Sequence, residues 1–123
     1  MRALVVDDSK AMRVILSQIL RDLHFEVLDA CDGLDAVKKL EGQGPIELAL
    51  VDWNMPNMKG IDFVRHVREQ NLRPEMRIVM VTTETEMDYV QQALTAGADE
   101  YVMKPFTKDV ILEKLGLIGI QVR

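Results

Sequence analysis

The sequence predicts an α/β fold, a doubly wound parallel five-stranded sheet built from five βα units, on three observations. Strand-like and helix-like patterns alternate from one end of the chain to the other. Four of the five strand-like segments are nearly continuous apolar runs, as expected of parallel strands covered on both faces. Three of those runs end in charge: Asp7 and Asp8 after Ala3-Leu4-Val5-Val6, Asp52 after Leu48-Ala49-Leu50-Val51, and Lys104 after Tyr101-Val102-Met103. Parallel strands bring their C-terminal ends to one rim, where folds of this class bind ligands.

The elements follow in order. Residues 3–7 read as the first strand, and Met12, Leu16, Ile19, Leu20 and Leu23 give the first helix its apolar stripe. Residues 26–30 alternate more than the other strands and belong at a sheet edge. Leu34, Val37 and Leu40 mark the second helix. Residues 48–52 form the third strand, and Ile61, Val64 and Val67 the third helix. Residues 77–82 form the fourth strand, and Val90, Ala93 and Leu94 the fourth helix. Residues 100–103 form the last strand, and Val110, Ile111 and Leu115 the last helix. Gly60, Thr85 and Thr107 stand where helices start, the threonines as better caps. Gly97, within Ala96-Gly97-Ala98, stops the fourth helix in a left-handed conformation. By analogy with doubly wound sheets the strand order is 2-1-3-4-5.

With 123 residues the chain fits one domain, residues 1–123, with enough surface to bury for a core of its own. Apolar residues make up 48 % and charged ones 28 %, a soluble composition. The net charge of -5 argues against direct nucleic-acid binding, which needs a basic face. The lone Cys31 excludes a disulfide framework and reads as a small buried residue. No stretch resembles a signal peptide or a membrane span, so the expected location is cytoplasmic, without a membrane partner.

A single Asp past a strand is more often a helix cap than a functional group. Two adjacent carboxylates are harder to explain, because like charges repel and burial without a cation is costly. Asp52 on a neighbouring strand concentrates the charge further. A divalent cation with oxygen ligands resolves it, and Mg2+, which accepts few carboxylates and keeps several waters, suits such a site; Ca2+ and Mn2+ stay open on composition. Lys104, its direction fixed by Pro105 through a possible cis peptide, neutralises part of this cluster and offers a partner to a phosphoryl oxygen. Thr82 ends the fourth strand with a hydroxyl at the same rim.

Together these positions resemble the receiver domain of two-component response regulators, most closely the single-domain, CheY-like chemotaxis regulators of flavodoxin-like fold. The resemblance spans nearly the whole chain. It rests on Val5-Val6-Asp7-Asp8-Ser9, Val51-Asp52-Trp53-Asn54-Met55-Pro56-Asn57-Met58-Lys59-Gly60, Val81-Thr82, Ala96-Gly97-Ala98 and Tyr101-Val102-Met103-Lys104-Pro105-Phe106. It implies that Asp52 accepts a phosphoryl group from a sensor histidine kinase or a small donor such as acetyl phosphate. It implies Mg2+ held by Asp8 and Asp52 directly, by Asp7 through water, and by the backbone oxygen of Asn54. Lys104 and Thr82 then hold phosphoryl oxygens. Thr82 and Tyr101 form a switch in which the tyrosine turns inward and remodels the face of the fourth helix, fifth strand and fifth helix. Asn54 and Glu84, two residues after Asp52 and Thr82, tune loss of the phosphoryl group. The implied partner is a target protein such as a flagellar motor switch component, bound by a monomer. Catalysis is limited to self-phosphorylation and self-dephosphorylation.

Other features have plainer readings. His24 and His66 lack metal-ligand spacing and read as surface residues, and the eight methionines as packing. Trp53 is expected to be partly exposed. Gly116 and Gly119 interrupt the C-terminal apolar stretch, so the last helix is expected to be short or bent, with an apolar tail that covers the core or meets a partner. The alternatives are a receiver cut from a longer regulator, a phosphorelay or phosphate-sink receiver, an Asp-nucleophile hydrolase and a flavin module. Asp52-Trp53-Asn54 lacks the second Asp the hydrolase needs, and the first strand lacks the phosphate loop a flavin needs.

Overall fold

The computed structural model describes residues 1–42 and 44–120, and the tail beyond 120 lies outside the described residues. Strands β1 (Arg2–Val6), β2 (Glu26–Ala30), β3 (Leu48–Val51), β4 (Arg77–Thr82) and β5 (Glu100–Met103) alternate with α1 (Lys10–Asp22), α2 (Gly33–Glu41), α3 (Gly60–Glu69), α4 (Met87–Ala96) and α5 (Lys108–Leu117). All strands pair in parallel, in the order β2-β1-β3-β4-β5 that the sequence predicts.

The two-residue period of a strand explains why the apolar runs are continuous. Leu4, Val6, Ala49, Val51, Ile78, Met80 and Tyr101 face α2, α3 and α4, while Ala3, Val5, Leu48, Leu50, Val79, Val81 and Val102 face α1 and α5. Every residue of β3 is buried, whereas β2, the alternating segment, lies at the edge and is largely open.

Most members of the predicted stripes are buried or half-buried, but three are exposed. Leu34 is exposed because α2 turns Ala36 and Leu40 inward, with Gly33 taking the position one turn earlier. Leu94 and Val110 are exposed because they sit about 100° round the helix from Ala93 and Ile111, which face the sheet. Thr107 caps α5 by accepting from the Val110 amide at 3.2 Å. Thr85 does not cap α4; that position is taken by Glu86, with no side-chain bond. Gly60 opens α3 one residue inside its cap position, Lys59. Gly97 closes α4 at φ 117°, as expected. Cys31 is exposed rather than buried, because it follows the last residue of an edge strand.

The C-terminus resolves one expectation. Helix α5 is ten residues long and ends near Gly116, and Gly119 at φ 83° turns the chain so that Ile120 is buried beneath it. Ile118 and Ile120 thus cover the core that α1 and α5 share.

Two glycines separate steric necessity from tolerance. A Cβ on Gly60 runs into the backbone carbonyl oxygen of Asp52, whereas one on Gly116 meets open space. Gly60→Ala is therefore expected to lower stability by at least about 2 kcal/mol, the scale of overpacking a close-packed site. Gly116→Ala should raise it by roughly 0.5 kcal/mol through helix propensity. Denaturant unfolding of both variants checks this; equal and small effects contradict the packing described.

Candidate functional site

The rim is assembled by strand register. Val6 pairs with Val51, so the residues that follow, Asp7 and Asp52, emerge side by side. The backbone ladder runs one step past the strands: the Asp7 amide donates to Ala30 at 3.1 Å, Asp52 to Val6 at 2.9 Å, and Lys104 to Thr82 at 2.8 Å. The rim positions thus inherit the rigidity of the sheet.

Asp7, Asp8 and Asp52 each bring a carboxylate oxygen within 4.8 Å of the others. Asp7 and Asp52 are buried and Asp8 is exposed. Both oxygens of Asp7 are engaged, one by the Ser9 amide at 2.9 Å and the other by the Lys104 ammonium at 3.0 Å. Lys104 also stands 3.6 Å from Asp52, whose other oxygen accepts from the Trp53 amide at 2.8 Å. The Lys104–Pro105 peptide is cis.

Two unit charges about 5 Å apart interact by on the order of 3 kcal/mol at an effective dielectric near 20. Lys104 offsets this for Asp7 and Asp52, while Asp8 makes no ion pair among the described residues. A hard cation fits the open side between Asp8 and Asp52, since all donors there are oxygens and Asp7 is already committed elsewhere. Burial pushes the Asp52 carboxyl above the usual carboxylate range. Lys104 pulls it down, Asp7 pushes it up again, and hydrogen bonds from Trp53 and Thr82 favour the charged form.

Thr82 is completely buried, and its hydroxyl accepts weakly from the Glu84 amide at 3.4 Å. Glu84 joins two parts of the site. Its carboxylate accepts from the Asn54 side-chain amide at 2.7 Å, and its backbone carbonyl accepts from the Tyr101 hydroxyl at 2.7 Å. The Tyr101 ring is buried, and burial, followed by the charges of Glu84 and Asp52, pushes its hydroxyl up to about 12. It therefore stays a hydrogen-bond donor at any physiological pH. The Tyr101 hydroxyl thus ties β5 to the loop that follows β4.

All eight predicted positions meet at this rim or directly beneath it. Trp53 departs from expectation: it is buried, its ring standing edge-on to Tyr89 of α4 at 4.9 Å and 86°. A residue just past a buried central strand has helix over it, and α4 supplies that cover. Three supporting residues escaped the sequence reading. Ser9 caps α1 and holds Asp7, Arg13 donates to the Asp7 carbonyl at 2.8 Å, and Asp32 caps α2. Ser9, two residues past Asp7, and the Asp32-Gly33 pair were legible as turn and cap signals. The Arg13 contact was not, because nothing in local sequence aims that side chain back at β1. Among the described residues, no helix is long and apolar enough to cross a membrane.

Comparison with known proteins agrees with the geometry. Residues 3–116 match the family model described as a response regulator receiver domain. The chain is 44 % identical over 119 residues to the chemotaxis protein CheY1 of Helicobacter pylori, covering 96 % of each chain. It is 41 % identical over 116 residues to the chemotaxis protein CheY of Pseudomonas aeruginosa, covering 94 % of this chain and 93 % of that one. The solved structure of the Vibrio cholerae chemotaxis protein CheY4 superposes with a TM-score of 0.87 at 35 % identity, covering 95 % of this chain and 97 % of that one. A Burkholderia pseudomallei response regulator, solved with a phosphorylated aspartic acid, a calcium ion and citrate, superposes with a TM-score of 0.84 at 28 % identity, covering 93 % of this chain and 65 % of that one.

The raised carboxyl of Asp52 sets the sign of a pH effect. Its folded value lies above its unfolded one, near 3.9, so ionisation opposes folding as pH rises through that window. Asp52→Asn should therefore melt above wild type at neutral pH in Mg2+-free buffer. The gap should close as pH falls below the window. A variant that melts at or below wild type at neutral pH contradicts this assignment.

Proposed function

The chain belongs to the response regulator receiver family and is homologous to the CheY chemotaxis regulators, and from that premise we propose that it is a phosphorylation switch in which Asp52 is the phosphoacceptor. The carrying observation is the convergence of Asp7, Asp8, Asp52 and Lys104 at one rim, with Thr82 beneath. The phosphorylated aspartate and bound cation of the Burkholderia regulator support the same chemistry on this fold.

Asp8, Asp52 and the backbone oxygen of Asn54 would hold Mg2+, with Asp7, both of whose oxygens are already engaged, in a supporting place. Bound there, Mg2+ supplies charge neutralisation for the transferring phosphoryl group. The chain's own residues do the rest. Asp52 attacks the phosphorus of a phosphohistidine or of acetyl phosphate, and its oxygen–phosphorus bond forms as the donor's breaks. No proton has to move, so positioning and charge matter more than acid–base chemistry. The Lys104 ammonium, 3.0 Å from Asp7 and 3.6 Å from Asp52, is placed to take up a phosphoryl oxygen, and the Thr82 hydroxyl a second. The Asn54–Glu84 bond spans the approach to Asp52, which suits a pair that meters water to the acyl phosphate.

Readout runs through Glu84. A phosphoryl group drawing on Thr82 also draws on the Glu84 amide, and Glu84 carries the Tyr101 bond. The switch is a two-state loop biased by the phosphoryl group. Met87 and Leu94 of α4, Met103 of β5 and Val110 of α5 leave the α4-β5-α5 face partly apolar, suited to a target protein. A sensor histidine kinase donates the phosphoryl group, and the homology to chemotaxis regulators favours a flagellar motor switch component as target.

Trp53 reports on both events, because it follows Asp52 and touches α4. Its fluorescence should change with Mg2+ and again with acetyl phosphate, and Asp52→Asn should lose the second change. Lys104→Ala should keep the Mg2+ response and accept phosphate, yet lose the fluorescence step that follows. A wild-type signal indifferent to both additions contradicts the switch, and an undiminished second step in Lys104→Ala refutes the role given to that lysine.

A further inference from the structure

The β3–α3 loop, residues 52–59, carries the Asn54 backbone oxygen yet belongs to no strand or helix. Part of its shape is set internally. The Gly60 amide donates to the Trp53 carbonyl at 2.9 Å, and the Met58 amide to Pro56 at 2.7 Å. Its outer shoulder is held from the side by the β2–α2 turn. Asp32 there is buried in extended backbone, and its two oxygens have different duties. One accepts from the Asp35 amide at 2.8 Å, an ordinary helix cap. The other accepts from the Asn57 side-chain amide at 2.7 Å. Asn57 sits at φ 68°, so the loop reverses direction at the residue Asp32 holds. The next residue seals the contact. A Cβ on Gly33 would stand 2.7–2.8 Å from the side chain of Met58, so the start of α2 and the loop are in close contact, and a larger residue there would displace the methionine.

Capping alone does not call for this arrangement. A serine serves a helix start as well as an aspartate and has one oxygen. The second oxygen of Asp32 is directed into the loop that flanks Asp52. We propose that Asp32 and Asn57 are positioning residues for the metal site, the bond between them fixing the loop so that the Asn54 backbone oxygen stands ready beside Asp8 and Asp52. The inference rests on the magnesium reading of the rim. Neither residue touches the metal or the phosphoryl group; both act through the loop, as outer partners of metal ligands do.

Two substitutions separate this role from a merely structural one. Asp32→Ser keeps a cap for the Asp35 amide and removes the acceptor for Asn57. Asn57→Gly keeps the left-handed backbone and removes the donor. Each should weaken Mg2+ binding, measured by calorimetry on the full chain, roughly 10-fold. The double variant should be no weaker than either single one, since both remove the same bond. With acetyl phosphate, the Mg2+ concentration for half-maximal phosphorylation should rise by the same factor, while the rate at saturating Mg2+ stays unchanged. Thermal melts in Mg2+-free buffer identify any variant that fails to fold, and Asn57→Gly, the milder change, then decides. Wild-type Mg2+ affinity in a folded Asn57→Gly variant overturns the proposal. Additive losses in the double variant overturn it too. A wild-type chain that binds no Mg2+ overturns the magnesium reading itself, an outcome distinct from both.

Discussion

Repulsion among three carboxylates held at the end of a hydrophobic sheet is the constraint on which the rest of the structure depends. Asp7, Asp8 and Asp52 bring carboxylate oxygens within 4.8 Å of one another because parallel register sets Asp7 beside Asp52 and Asp8 follows Asp7 in the chain. Such a cluster persists only if surrounding groups hold it. Lys104 supplies charge from the end of β5, so that three strands of the sheet take part in the arrangement. The Ser9 and Trp53 amides supply fixed dipoles, and Arg13 fastens the backbone of Asp7. The apolar layers on both faces provide the rigidity that keeps these groups from relaxing apart.

The same constraint gives the site a direction. Asp7 is saturated by its neighbours, Asp52 is buried and held, and Asp8 opens to solvent. The open side of the carboxylate cluster is therefore the Asp8 side, above the sheet. On the far side, Thr82, Glu84 and Tyr101 form a connected set of hydrogen bonds reaching from the floor of the site to β5. Trp53 and Tyr89 add an apolar contact from the β3–α3 loop to α4. A change in charge at Asp52 thus meets two routes to one surface, one polar and one packed. The exposed methionines and leucine on that surface suit a partner bound through adaptable apolar contacts.

Much of this was legible in the sequence, for a physical reason. Buried parallel strands write continuous apolar runs, and the residue that ends such a run lies at the rim by geometry alone. Asp7, Asp52, Thr82 and Lys104 could therefore be placed from spacing, and strand order came by analogy. Helix faces were less legible. Leu34, Leu94 and Val110 fit a helical period yet point outward, since periodicity fixes a stripe's spacing but not which flank meets the sheet. Trp53 was misjudged because its cover comes from α4, some 35 residues on by chain number. Asp32, Asn57 and Arg13 contribute through contacts between loops and elements distant in sequence, and local pattern carries no record of those.

Mass analysis of the intact chain after exposure to acetyl phosphate, with and without Mg2+, followed by mapping of the modified peptide, tests the central claim most directly. The account predicts one added phosphoryl group, dependent on Mg2+ and located on Asp52. A phosphoryl group on another residue, or uptake that proceeds equally well when Mg2+ is chelated, would contradict it.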